Sequence, residues 1–244
     1  MSNDAIRLNS LGQPIGPALP DWTPPALPSR EAMDGRFCRV EALDPDRHAG
    51  DLLNAIATDT DGRTFTYLPY GPFESRADYV ERLRHWSASD DPLFFAIVPR
   101  ETGKAAGIAA YLRITPGSGF VEVGHVYFSP LLQRTPAATE AMYLMMQRAF
   151  ELGYRRYEWK CDSLNAASRA AAQRFGFSYE GVFRQATVYK GRSRDTAWYA
   201  CIDSEWPALK AAYEQWLDPS NFDAAGRQRA QLGELTSAVL KARG

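Results

Sequence analysis

Apolar residues fall along this chain in two rhythms. Four dense apolar runs, Arg36–Leu43, Leu93–Val98, Ala105–Ile114 and Phe120–Phe128, read as strands. Elsewhere apolar positions return every three or four residues, which predicts helices. Leu52, Leu53 and Ile56 do so in His48–Ala57, and Tyr79, Leu83 and Trp86 in Ser75–Trp86. Ala138, Met142, Met145, Met146 and Ala149 form a longer stripe in Pro136–Leu152, and Asn165–Phe175 is amphipathic too. Gly153 and Gly176 stop these last two helices. The turn sequences Glu101–Lys104 and Pro116–Gly119 join the three central runs into an antiparallel meander. Arg155–Cys161, Tyr179–Lys190 and Arg194–Ile202 are later strands, the last two meeting at Gly191–Ser193. A helix follows over Ser204–Leu217, then a helical tail with Leu232, Leu235 and Val239. The order β-α-α-β-β-β-α-β-α-β-β describes one α/β domain with a mixed sheet.

That domain spans residues 36–217, between an arm (1–35) and a tail (218–244). Pro14, Pro17, Pro20, Pro24, Pro25 and Pro28 deny the arm any helix or inner strand. An extended arm docked through Trp22 and Leu27 competes with a disordered linker.

Composition narrows the functions. The 244 residues carry 28 Lys and Arg against 29 Asp and Glu, a net of −1. This excludes a broadly basic nucleic-acid binder or a polybasic membrane-surface protein. No run reaches the roughly 18 apolar residues of a membrane span, and the start lacks a signal-peptide core. Cys38, Cys161 and Cys201 read as reduced thiols, and the expected location is cytoplasmic. No metal-ligand spacing is visible, so no metal is expected. Monomer and homodimer both stay open.

Chemistry concentrates after the third central strand. There a loop enters a helix with Thr135 as N-cap, Pro136 as first residue and the small residues Ala137 and Ala138 behind it. The free N–H groups and positive dipole end of such a terminus favour anions. The Thr139 hydroxyl and Arg134 add a donor and a cation. An ordinary strand-to-helix connection is the alternative.

This segment resembles the acetyl-CoA signature of the GCN5-related N-acetyltransferases, Q/R-x-x-G-x-G/A, opened by Gln133 and closed by Ala138, with Pro136 where the family usually has Gly. The strand and helix from Trp159 to Phe177, with Asn165-x-x-Ser168 and a closing Gly-Phe, resemble the family's second cofactor element. The hairpin Lys190–Tyr199 and the Ser204-Glu205-Trp206 that follows are similar to the branch with ribosomal-protein N-terminal acetyltransferases. The resemblance implies a single domain of that family, with a mixed, mostly antiparallel sheet of about six to seven strands, flanked by helices and splayed at the cofactor site. It implies an enzyme that transfers acetyl from acetyl-CoA to a primary amine, a protein N-terminus or a small amine or amino acid, by direct attack in a ternary complex.

Roles follow from the same likeness. Glu122, eleven positions before Gln133, matches the family's catalytic glutamate, with His125 the alternative base. Backbone N–H groups at Val126, Tyr127 and Phe128 would hold the developing oxyanion. Gln133, Arg134, Thr135, Ala137, Ala138 and Thr139 would bind the pyrophosphate, and Asn165 the pantetheine arm. Ser168 would protonate the leaving thiolate, and Arg174 would meet the 3′-phosphate. Tyr67, Tyr70 and Tyr189 would wall the acceptor pocket. On an unbroken strand, Glu122, Gly124, Val126 and Phe128 share one face, and His125 and Tyr127 the other. A non-catalytic acyl-CoA-binding regulatory module, or an acyltransferase for a longer acyl-CoA, remains the rival function.

Overall fold

A computed structural model describes residues 7–244. Near its start β1 (Arg7–Leu8) and β2 (Pro14–Ile15) make a small exposed pair. The main elements are β3 (Met33–Asp34), β4 (Cys38–Ala42), α1 (Pro45–Ile56), α2 (Arg76–Ser87), β5 (Leu93–Pro99), β6 (Gly107–Thr115) and β7 (Phe120–Phe128). They continue with α3 (Pro136–Glu151), β8 (Arg156–Asp162), α4 (Ala166–Arg174), β9 (Ser178–Tyr189), β10 (Arg192–Ile202), α5 (Trp206–Leu217) and α6 (Leu232–Thr236). The sheet has eight strands in the order β3-β4-β5-β6-β7-β8-β10-β9. Its neighbours are antiparallel except β7 and β8, which run parallel. The strand beyond the expected six to seven is β3, two residues at the end of the proline-rich arm.

Helix starts follow local chemistry. The Asp44 side chain accepts from the Asp46 N–H, so Asp44-Pro45 opens α1 and is no free turn. Ser75 caps α2 through the Asp78 N–H, and Thr135 caps α3 through that of Ala138. On one face of the sheet Met142, Met145 and Met146 of α3 pack with Val121, Val123 and Tyr157, joined by Leu209 and Tyr213 of α5. On the other, Leu52 of α1 and Leu83 and Trp86 of α2 pack against Phe94 and Ile108.

The arm docks on a different set of side chains from the one expected. Pro25 and Pro28 are buried and Trp22 half-buried against Gly119, whereas Leu27 is 68% exposed. Positions 22, 25 and 28 follow the three-residue repeat of a polyproline-type chain, which turns Leu27 outward.

The arm ends in a hairpin, β3–β4, wrapped around a carboxylate. Glu140 of α3 accepts from the backbone N–H groups of Arg36 at 2.8 Å, Phe37 at 2.6 Å and Cys38 at 2.8 Å. Gly35 lies so close that a Cβ there would overlap the Glu140 carboxylate. Burial and the neighbouring Glu140 charge push the Cys38 thiol far up, so it stays protonated. Glu140→Ala strands three backbone donors, that of Cys38 buried and those of Arg36 and Phe37 partly so, and we expect urea denaturation to show a loss of about 2 kcal/mol. Glu140→Gln, which keeps one acceptor oxygen, should lose less. A loss below about 1 kcal/mol in the alanine variant would mean that the N–H groups find other partners.

Candidate functional site

Strands β7 and β8 pair over only four positions, from Phe120↔Arg156 to Val123↔Trp159. Beyond them β7 continues to Phe128 and β8 to Asp162, so the two strands part. The β7 backbone also breaks step with β6. Ala110 faces Gly124 and Ile108 faces Tyr127, three steps against two, with His125 in the left-handed region at φ 49°. This is a bulge, and it reverses the alternation of side chains. Val126 and Phe128 therefore join Val121 and Val123 against the α3 core, contrary to the unbroken-strand expectation. His125 instead stacks on Tyr70 at 5.7 Å and contacts Phe94 at 5.1 Å, while Tyr127 stacks on Phe65 at 4.9 Å.

The parting strands open a cleft of about 1850 Å³. The β7–α3 loop forms one wall, and Gln133, Arg134, Thr135, Pro136, Ala138 and Thr139 line it; buried Ala137 does not. The Ser129 carbonyl accepts from the N–H groups of Leu132 and Gln133, and the Gln133 side chain donates to the Phe128 carbonyl at 2.7 Å. Arg134 takes φ 62°, a tight corner before the Thr135 cap. Pro136, first in α3, has no N–H to offer, so the terminus presents fewer donors than a glycine would give. Arg174 reaches across from α4 and donates to the Thr139 hydroxyl at 3.1 and 3.2 Å. Sequence positions 35 apart thus meet at the positive end of α3.

The opposite wall carries Asn165 and Ser168. Asn165 caps α4, accepting from the Ser168 N–H at 3.1 Å. The indole N–H of Trp159 donates to Ser168 Oγ at 2.9 Å. With the oxygen engaged as acceptor, the hydroxyl proton is available to a further partner.

Deeper in the cleft lies a buried charge cluster. Glu122, 3% exposed, accepts through Oε2 from Arg113 at 2.6 Å and lies 2.9 Å from Lys160 Nζ. Lys160 also holds Glu158 at 2.6 Å and sits 3.9 Å above the Trp198 ring. Burial lifts the Glu122 carboxyl above its usual range, against the opposing pull of Arg113 and Lys160. Its Oε1 borders Gly124, where a Cβ would come within 3.4 Å. The family resemblance singled out Glu122 but neither Lys160 nor Trp198, because a strand lysine reads as a solvated side chain until the fold places it.

The remaining candidates separate. Tyr67 lines the cleft and its hydroxyl donates to the Leu164 carbonyl at 3.2 Å, joining the 63–70 loop to the segment after β8. Tyr70 lies behind His125 in the α2 core, and Tyr189 donates to Asp162 at 2.8 Å; neither lines the cleft. Trp216 near the end of α5 and the tail residues Phe222, Arg227 and Gln228, which the sequence pattern did not mark, do line it. Among the described residues no cluster of His, Cys, Asp and Glu is arranged to hold a metal, and no helix is long and apolar enough to cross a membrane.

Comparison with known proteins matches residues 39–178 to the acetyltransferase (GNAT) domain model. The crystal structure of a GCN5-related N-acetyltransferase from Brucella melitensis is 49% identical, with a TM-score of 0.88 over 90% of this chain and 100% of that one. A probable GNAT-family acetyltransferase from Chromobacterium violaceum is 41% identical, with a TM-score of 0.75 over 80% of this chain and 98% of that one. At 20% identity the likeness is of fold alone to an acetyltransferase from Salmonella typhimurium that modifies the N-terminal serine of a 50S ribosomal subunit protein. Its TM-score is 0.61 over 70% of this chain and 99% of that one. No curated protein matches.

Burial and the Arg113 charge push the His125 imidazole down to about 4. An unfolded histidine titrates near ~6.5, so between these values the unfolded chain binds the extra proton. The stabilisation from neutral His125 is therefore complete above about pH 6.5 and is lost as the pH falls through about 4. His125→Gln should flatten the stability curve across that window, read by urea denaturation at stepped pH. An unchanged slope would show that the folded protein protonates the ring normally.

Proposed function

Because the chain belongs to the GNAT acetyltransferase family, we propose that it transfers the acetyl group of acetyl-CoA to a primary amine by direct attack in a ternary complex. One observation carries this reading: the parting of β7 and β8 puts the α3 anion terminus and the buried Glu122 on a single cleft. The acceptor is an amine of a protein N-terminus, or of a small amine or amino acid.

The residues present suit the donor. The Arg134–Thr139 corner offers a helix terminus, backbone donors and a cation for the pyrophosphate, and the stretch of β7 without a β8 partner offers backbone groups for the pantetheine. Bound acetyl-CoA supplies a thioester carbonyl that an uncharged amine can attack. Amines titrate from about 7.8 at an N-terminus to about 10.4 on lysine, so a base is required. Glu122 takes that proton, directly or through a water, on the oxygen that borders Gly124. Lys160 and Arg113 keep the other oxygen fixed. N–H groups at Val126–Phe128 donate to the carbonyl oxygen as it gains charge. Ser168, whose oxygen is already engaged by Trp159, gives its proton to the departing sulfur.

Acetyl-CoA-dependent release of free thiol, assayed over a panel of amines and N-terminal peptides, tests the reading. Turnover should appear with at least one acceptor, and preference for a longer acyl-CoA would refute the donor assignment. Binding of CoA with no thiol released by any acceptor would refute the transfer. Glu122→Gln should lower kcat by about 100-fold with the KM for acetyl-CoA unchanged. Ser168→Ala should cost less, about tenfold, since a thiolate leaves readily. Full activity in Glu122→Gln would assign the base elsewhere.

A further inference from the structure

The last stretch of chain closes on itself beside the cleft. Asn221, buried, donates to the Trp216 carbonyl at 2.8 Å and accepts from the Ala230 N–H at 2.8 Å. Between them Phe222 pairs with Gln228, and the Trp216 indole N–H donates to Gln228 Oε1 at 2.8 Å. Phe222 meets Trp216 edge-on at 5.3 Å. The result is a tied loop in which the Asp223 N–H donates to the Arg227 carbonyl at 3.0 Å, at the base of its closing turn.

This loop adjoins the residues already placed at the α3 terminus. The Arg174 guanidinium that donates to Thr139 lies 5.5 Å from the Trp216 ring and 5.3 Å from that of Phe175. Thr236 of α6 donates to the Arg174 carbonyl at 3.0 Å, so the tail also holds the turn that bears Arg174. Trp216, Phe222, Arg227 and Gln228 line the same cleft as Thr135 and Thr139. Arg227 is 81% exposed and its described ion-pair partner is Asp223, at 2.8 Å. Two guanidinium groups, those of Arg174 and Arg227, thus line the same cleft as Trp216, and that of Arg174 lies against the Trp216 ring.

Resting on the acetyl-CoA reading, we propose that the C-terminal tail is part of the cofactor site and that Arg227 binds the 3′-phosphate of CoA. The α3 terminus accommodates one anionic group, the pyrophosphate. CoA carries a further phosphate monoester on its ribose, close to doubly charged at neutral pH. That group needs cations beyond the helix terminus, and a guanidinium fork suits its oxygens. Asp223 engages Arg227 through Nε and leaves the Nη face for the phosphate. The assigned residue lies outside residues 39–178, the stretch shared with the family model.

Calorimetric Kd values for CoA and 3′-dephospho-CoA, measured on the full chain, test this. The unaltered protein should prefer CoA by about tenfold. Arg227→Gln should weaken CoA and leave 3′-dephospho-CoA in place, so most of the preference disappears. Retained 3′-dephospho-CoA binding also reports an intact fold. Arg229→Gln removes an equal charge from the same tail, at a residue that does not line the cleft, and should keep the preference. Equal affinities in the unaltered protein, equal weakening of both ligands by Arg227→Gln, or the same effect from Arg229→Gln would each overturn the proposal. Failure of the unaltered protein to bind either ligand would instead refute the CoA reading on which it rests.

Discussion

The architecture turns on one interrupted ladder. β7 and β8 are the parallel neighbours of the sheet, and they hold together for four residue pairs before separating. Backbone groups rarely go without partners, so strands part where solvent or a ligand can serve them. The bulge at His125 sharpens the effect. By reversing the side-chain phase it points Val126 and Phe128 into the α3 core and His125 and Tyr127 into the α2 core, so both faces of the diverging strand stay anchored. The cleft is thus held open by packing on either side, and α3 starts eight residues after Phe128 ends β7.

Within that opening, Glu122, Lys160 and Glu158 form a buried cluster that hydrophobic residues of similar volume would replace at little thermodynamic loss. What the cluster supplies is orientation. Lys160 is engaged on Glu122, on Glu158 and on the Trp198 face at once, so it has little freedom left. Glu122 inherits that rigidity on one oxygen while the other stays directed past a residue without a side chain.

The sequence pattern carried most of the fold because its elements announce their own ends. Ser75, Thr135 and Asn165 mark helix starts by capping, and Gly153 and Gly176 sit where α3 and α4 end, so predicted and observed bounds there differ by a residue or so. The anion terminus was legible for the same reason. The bulge was not: His125 is a side chain that ordinarily avoids positive φ, and only its neighbours on β6 reveal the extra step. Likewise β3 was hidden, since two residues in a proline-rich segment have no period. The tail's place at the cleft depends on tertiary docking through Trp216 and Asn221, and no local pattern encodes such docking.

Glu140 has a consequence for the order in which this molecule can be assembled. Its carboxylate completes a turn 102 to 104 residues earlier in the chain. On the ribosome, synthesis runs from the N-terminus, so Arg36, Phe37 and Cys38 emerge long before the group that satisfies them exists. The hairpin that ends the arm must therefore wait, unfinished, until α3 has been made and has docked. A stretch of chain that is synthesised early is thus fixed in place by a helix made more than 100 residues later.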